Sequence, residues 1–157
     1  MAVRGRRGHD ESMLILPLIA LVLHGALAGL FYAYSMSVMP GLDKLDPDRA
    51  EEAMRHINRA ILNPWLYLVF LGSPVAALAA GLVAGGPAAV WFHAAAGVSA
   101  VGSFLVTVVI NVPMNNRIDA GAMSWKEYRP RWTAWNTVRT VASLASLALV
   151  GVGLSQL

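Results

Sequence analysis

Met13–Met39 reads MLILPLIALVLHGALAGLFYAYSMSVM, a stretch with no Asp, Glu, Lys or Arg and a single histidine. About 20 apolar residues rising about 1.5 Å each cross about 30 Å of hydrocarbon, so this stretch is long enough to span a bilayer. Three more such runs follow: Trp65 to about Ala84 (WLYLVFLGSPVAALAAGLVA), about Ala88 to Val112 (AAVWFHAAAGVSAVGSFLVTVVINV) and about Thr137 to Leu157. Backbone groups left unpaired in lipid are costly, so each run is expected to be a helix rather than an open strand. Composition agrees: the chain is 57% hydrophobic and 13% charged, whereas a soluble domain carries about a quarter charged residues. Its 157 residues suit one domain. The expected fold is all-α: one integral membrane domain, a four-helix bundle with spans at about 13–39, 65–84, 88–112 and 137–157.

Several function classes drop out. With no cysteine there is no disulfide, thiolate metal site or cysteine nucleophile. A formal charge of +3 is no nucleic-acid footprint. The opening MAVRGRRGHDE is basic like a signal peptide, but the apolar run behind it is too long for a cleaved h-region, so it reads as a retained first helix. No carboxylate pair, His-Glu zinc motif, Ser-His-Asp set or phosphate-binding glycine loop is present. Pairs at Gly-x-x-x-Gly spacing, Gly25 with Gly29 and Gly81 with Gly85, predict close helix approaches in the half of the bundle away from the long connections.

Four spans place the two long connections on one membrane face. Lys44, Arg49, Arg55 and Arg59 lie in the first, and Arg117, Lys126, Arg129, Arg131 and Arg139 in or beside the second; the other face has Arg4, Arg6 and Arg7. The positive-inside rule then makes the long connections cytoplasmic, in what reads as a bacterial inner membrane protein.

The connections carry the unusual residues. In the first, Asp46-Pro47 is a helix-start signal, and Ala50, Met54, Ile57 and Ile61 recur at helical spacing, predicting a short amphipathic interfacial helix between helices 1 and 2 with Asn58 beside its apolar stripe. Asn63-Pro64 reads as the N-cap and first residue of helix 2. Trp132, Trp135, Asn136 and Arg139 fall at i, i+3, i+4 and i+7 and are expected on one helical face. In NVPMNNRID, Asn111 and Asn115 share a face if the helix survives Pro113, and Asn116 reads as a C-terminal cap. Asn58, Asn63, Asn111, Asn115, Asn136 and Arg139, with Trp132 and Trp135, therefore suggest a polar site opening on the face with the long connections. His56, on the interfacial helix, is the candidate base. A different use of histidine puts a haem or metal between His24, deep in helix 1, and His93 in helix 3. A third alternative is a non-catalytic scaffold or carrier whose polar cluster ties helix ends together.

AGLFYAYSMSVMPGL (Ala28–Leu42), AMRHINRAILNP (Ala53–Pro64), FLVTVVINVPMNN (Phe104–Asn116) and WTAWNTVRT (Trp132–Thr140, preceded by Trp125 and Tyr128) resemble the small four-helix membrane family of the anthrone oxygenases and their bacterial relatives, over about Leu21 to Leu149. The resemblance implies a membrane enzyme that oxidises an anthrone at its ring methylene to an anthraquinone. Dioxygen would be the co-substrate, with no metal or flavin. It also implies donor roles for Asn111, Asn115, Asn136 and Arg139 and a flat apolar wall of Trp132 and Trp135. The expected partners are a lipophilic small molecule and membrane lipid; a homo-oligomer is left open.

Overall fold

The computed structural model describes the backbone of residues 2–157 and the side chains of residues 14–157. The side chains of Arg4, Arg6 and Arg7, used in the charge comparison, lie outside the described residues. Among the described residues there are five helices: α1 (Ala2–Ala33, continued to Leu42, with Leu14–Leu42 its apolar span), α2 (Pro47–Ala60), α3 (Pro64–Ala84), α4 (Gly86–Asp119) and α5 (Trp125–Leu154). All but α2 are long and apolar enough to cross a membrane. Large apolar side chains on all four face outward, among them Val22, Leu82, Val90 and Val141. Such surface is stable against acyl chains and not against water. The protein is an all-α integral membrane bundle.

The spans pack as a ring in which α1 and α4 each contact α3 and α5. At the end with the short turn, the core is mostly alanine, with Ala76, Ala77, Ala80, Ala95 and Ala96 around Phe92 and Val150. Small side chains let the backbones approach. A Cβ on Gly102 would collide with that of Ala142 on α5, and one on Gly81 would lie 2.6 Å from the His93 ring. The tightest approaches are therefore at Gly81 and Gly102, followed by Gly153 against Phe92 at 3.0 Å. Gly25 and Gly29 are not among them: Gly29 has open space around it, and Gly85 forms the α3–α4 turn at φ +64°. Spacing predicts a shared face, but which face meets a neighbour is decided by the whole bundle.

Two prolines shape the other end. In α1 a π-helical stretch, Tyr34–Val38, precedes Pro40, and in α4 another, Thr107–Asn111, precedes Pro113. Proline lacks an N–H and its ring collides with the carbonyl four residues back. Widening the turn, with Val112 N–H reaching the Thr107 carbonyl, lets α4 run through Pro113 to Asp119. There Gly121, at φ +68°, ends it: Ala122 N–H bonds the Arg117 carbonyl and Gly121 N–H that of Ile118, the Schellman pattern.

Helix α2 closes this end. Pro47 is its first residue, while the Asp46 side chain, expected to cap it, makes no cap bond. Ala50 and Met54 are buried in a core with Met39, Met114, Ile118, Tyr128 and Trp132. Two charged residues staple α2 to helix ends: Arg55 Nε donates to the Ile118 carbonyl at 3.0 Å, and Glu51 accepts the Trp125 N–H at 2.7 Å. Both partners belong to the groups that helix ends leave unpaired. Helix α5 begins at Trp125, well before its apolar run, with Glu127 accepting from the backbone and hydroxyl of Ser124. Trp125, Tyr128 and Trp132 are buried, so aromatic packing recruits a first turn that is rich in charge.

Candidate functional site

Between α2 and the ring of spans lies a cavity of about 150 Å³. Its deep end is lined by Phe31 and Tyr34 of α1, Thr107 of α4, and Trp132 and Arg139 of α5; Met54 and Asn58 of α2 and Asn115, Asn116 and Asp119 of α4 line the end towards the connections. Leu62 of the α2–α3 link and Leu66 and Phe70 of α3 line one side together with Val112 of α4, and Leu62 and Val112 are also exposed on the outer surface. The Phe70–Phe104 contact, with centroids 5.3 Å apart, is where α3 and α4 meet below this gap.

Arg139 dominates the chemistry. It is 4% exposed, and among the described residues no carboxylate lies within ion-pair distance of it. Its Nη1 donates to Thr107 Oγ1 at 3.0 Å and its Nη2 to Asn136 Oδ1 at 2.8 Å, while Nε has no partner. Aromatic faces cover the rest: the guanidinium carbon is 4.4 Å from the Phe31 centroid and 5.0 Å from that of Trp132. Cation–π contacts of this kind contribute about 0.5–2 kcal/mol each, well short of the cost of burying an unpaired charge. Among the described residues the guanidinium is therefore buried against neutral partners and aromatic faces alone.

The asparagines hold this arrangement. Asn136 is fully buried; its Nδ2 donates to the Phe31 carbonyl at 2.8 Å and Ser35 Oγ at 2.7 Å, tying α5 to α1 and aiming its oxygen at Arg139. Asn115 Oδ1 accepts from both Tyr128 Oη and Trp132 Nε1 at 2.8 Å. Two donors on one oxygen fix the amide's orientation and leave its NH2 as the group free to face the cavity. Asn111 also turns to Trp132, donating weakly to its carbonyl at 3.5 Å. Asn111 and Asn115 thus share a face, as their spacing requires, but Asn111 is 1% exposed and lies behind the cavity wall. Asn58 is buried beside the cavity, with Nδ2 3.5 Å from Asp119 Oδ1. Asn63 is the cap of α3, accepting from Trp65 and Leu66 N–H.

Other expected residues stand elsewhere. His56 is 71% exposed in its side chain, 4.0 Å from Glu52. At about 100° per residue it lies roughly 200° around α2 from Met54 and from Asn58, which face inward. Trp135 is 39% exposed on the outside of α5. Relative to Trp132, Asn136 falls about 40° to one side and Trp135 about 60° to the other, and the buried arc takes only the first. Asn116, expected as a cap, is on the cavity rim, and the cap is Gly121. His24 and His93 have different surroundings: His24 is fully buried, its Nδ1 2.8 Å from the Ala20 carbonyl, whereas His93 is exposed on α4 with its ring against Gly81 of α3. Among the described residues no group of three His, Cys, Asp or Glu side chains converges as metal ligands would. Tyr34, Thr107 and Asp119 were missed; a tyrosine or threonine inside an apolar run gives no periodic signal of its own, and Asp119 looks like an ordinary helix-end charge.

Fold and site define a four-span membrane protein with a polar, aromatic-walled chamber near one membrane face. A family model described as anthrone oxygenase matches residues 64–149, more than half of the chain, and the chain belongs to that family. The match takes in α3, α4 and most of α5, hence Asn111, Asn115, Asp119, Trp132, Asn136 and Arg139. No curated protein and no solved structure matches the chain.

Proposed function

We propose that the protein is a membrane oxygenase that oxidises a lipophilic aromatic of the anthrone type to a quinone, with dioxygen as co-substrate and no metal or organic cofactor. The observation that carries this reading is Arg139: a buried guanidinium with no counter-carboxylate among the described residues, facing an aromatic-lined cavity. An anthrone loses a proton from its ring methylene to give an aromatic oxyanion. The guanidinium supports stabilisation of that charge, and one well-aimed donor is worth roughly 10²–10³ in rate. The electron-rich carbon then passes electrons to dioxygen, forming a carbon–oxygen bond. Loss of water leaves the quinone, so one methylene and one dioxygen become one carbonyl and one water.

The apolar gap at Leu62, Leu66 and Val112 supports access for a substrate dissolved in the bilayer. The basic residues of the two connections support a cytoplasmic location for α2 in an inner membrane. Purified protein in detergent, given emodin anthrone and oxygen, is expected to form quinone faster than the spontaneous background, and Arg139→Ala to lose most of that excess. Equal rates with and without the guanidinium overturn the assignment.

A further inference from the structure

The oxygenase reading requires a group that takes the methylene proton, and the expected candidate, His56, points away from the cavity. We propose that Asp119 is the catalytic base. This rests on the oxygenase reading and adds to it a residue that neither the sequence pattern nor the family match singles out.

Three observations converge on Asp119. First, the titratable side chains lining the cavity are Tyr34, Asp119 and Arg139. A guanidinium has no lone pair to accept a proton and a neutral phenol is a donor, so the carboxylate is the acceptor. Second, the neighbouring cations are committed elsewhere. Arg55 is bonded to the Ile118 carbonyl and Glu51, Arg129 to Asp43, and Arg117 to the Ala122 carbonyl. Among the described residues, the Asp119 side chain accepts a single hydrogen bond, the long one from Asn58 Nδ2 at 3.5 Å. Third, Asp119 is the last residue of α4, where the helix dipole favours a cation and disfavours a carboxylate. The Gly121 turn ends the helix through backbone bonds alone, so the carboxylate has no part in stopping it.

Its placement suits the task. Thr107, which holds Arg139, and Asp119 are both on α4, about 18 Å apart along the axis at about 1.5 Å per residue. Side chains on a helix lean toward its N-terminus, which brings the carboxylate inward from the rim. A fused-ring substrate with its carbonyl oxygen at Arg139 turns its methylene, one ring-width away, towards the end of the cavity where Asp119 stands. The C–H bond breaks, its electron pair enters the ring system and ends on the oxygen beside Arg139, and the proton passes through water in the cavity to the Asp119 carboxylate.

The decisive experiment removes oxygen. With emodin anthrone deuterated at the methylene, wild-type protein under anaerobic conditions is expected to accelerate deuterium loss to water above background. Asp119→Asn, nearly isosteric, is expected to lower that acceleration by about 10²-fold or more. Asp119→Ala is expected to recover exchange in proportion to added formate, a rescue that a merely structural role does not give. Arg139→Gln is expected to slow exchange without formate rescue. Wild-type exchange in a folded Asp119→Asn variant overturns the base and leaves the oxygenase reading standing. Wild-type protein that neither exchanges nor oxygenates the anthrone overturns both.

Discussion

Replacing Asn136 with alanine removes three hydrogen bonds at a fully buried position: two donated to α1, at the Phe31 carbonyl and Ser35 Oγ, and one accepted from Arg139. Neutral side-chain bonds between membrane helices average about 0.6 kcal/mol, and a bond to a charged group contributes about 1.5–3 kcal/mol. The expected loss is about 3 kcal/mol of stability, read as a fall in thermal midpoint on the order of 5–10 °C. Activity should fall further than stability, because the guanidinium keeps Thr107 alone as a hydrogen-bond partner and is no longer aimed; a loss of about 10²-fold is expected. Asn136→Asp separates the two effects. A carboxylate still accepts from Arg139 but neutralises it, and it cannot donate to Phe31. That variant should melt above Asn136→Ala while forming quinone no faster. Thermal unfolding followed by tryptophan fluorescence, beside quinone absorbance at saturating oxygen, reads both quantities. An Asn136→Asp variant with wild-type turnover would refute the claim that an unpaired guanidinium is what the site provides.

Other expectations test separate parts of the structure. Gly102→Val should drive α4 from α5 and cost roughly 1–3 kcal/mol or more, since even a Cβ there meets Ala142, whereas Gly29→Ala, with open space, should leave the melting temperature within a degree or two; unfolding in detergent checks the pair. Asn115→Leu strands the Tyr128 hydroxyl and the Trp132 indole N–H, so KM should rise at least several-fold and tryptophan emission shift. Glu51→Gln weakens the staple from α2 to the Trp125 N–H and Arg55, and hydrogen exchange should speed up across α2 while the spans stay protected.

The membrane class and the number of spans were legible because hydropathy and length are additive along the chain; the Met13–Met39 run alone carries that argument. The site was legible in part. Asn115, Trp132, Asn136 and Arg139 stand out as polar or aromatic residues at helical spacing, and they meet around one cavity or directly behind its wall. Periodicity fixes which residues share a face but not how wide the buried arc is. Trp135 was drawn in on that ground and His56 through its nearness to Asn58 in sequence. Asp119 and Tyr34 were invisible for the opposite reason: their significance lies in which helices surround them, and one strand of sequence does not contain its neighbours. The π-helical stretches before Pro40 and Pro113 belong to this second kind too, since the sequence shows the proline but not how the backbone yields to it.

The central claim is that Arg139 waits for an aromatic oxyanion, and a hydroxyanthraquinone reports on this directly because its absorption moves to longer wavelength when a phenol ionises. Bound to the wild-type protein, such a quinone should show the ionised spectrum at a pH about one unit or more below its midpoint in detergent alone, as an adjacent opposite charge requires. Arg139→Gln should abolish the displacement. A bound quinone that ionises at the same pH with and without the guanidinium would contradict the account.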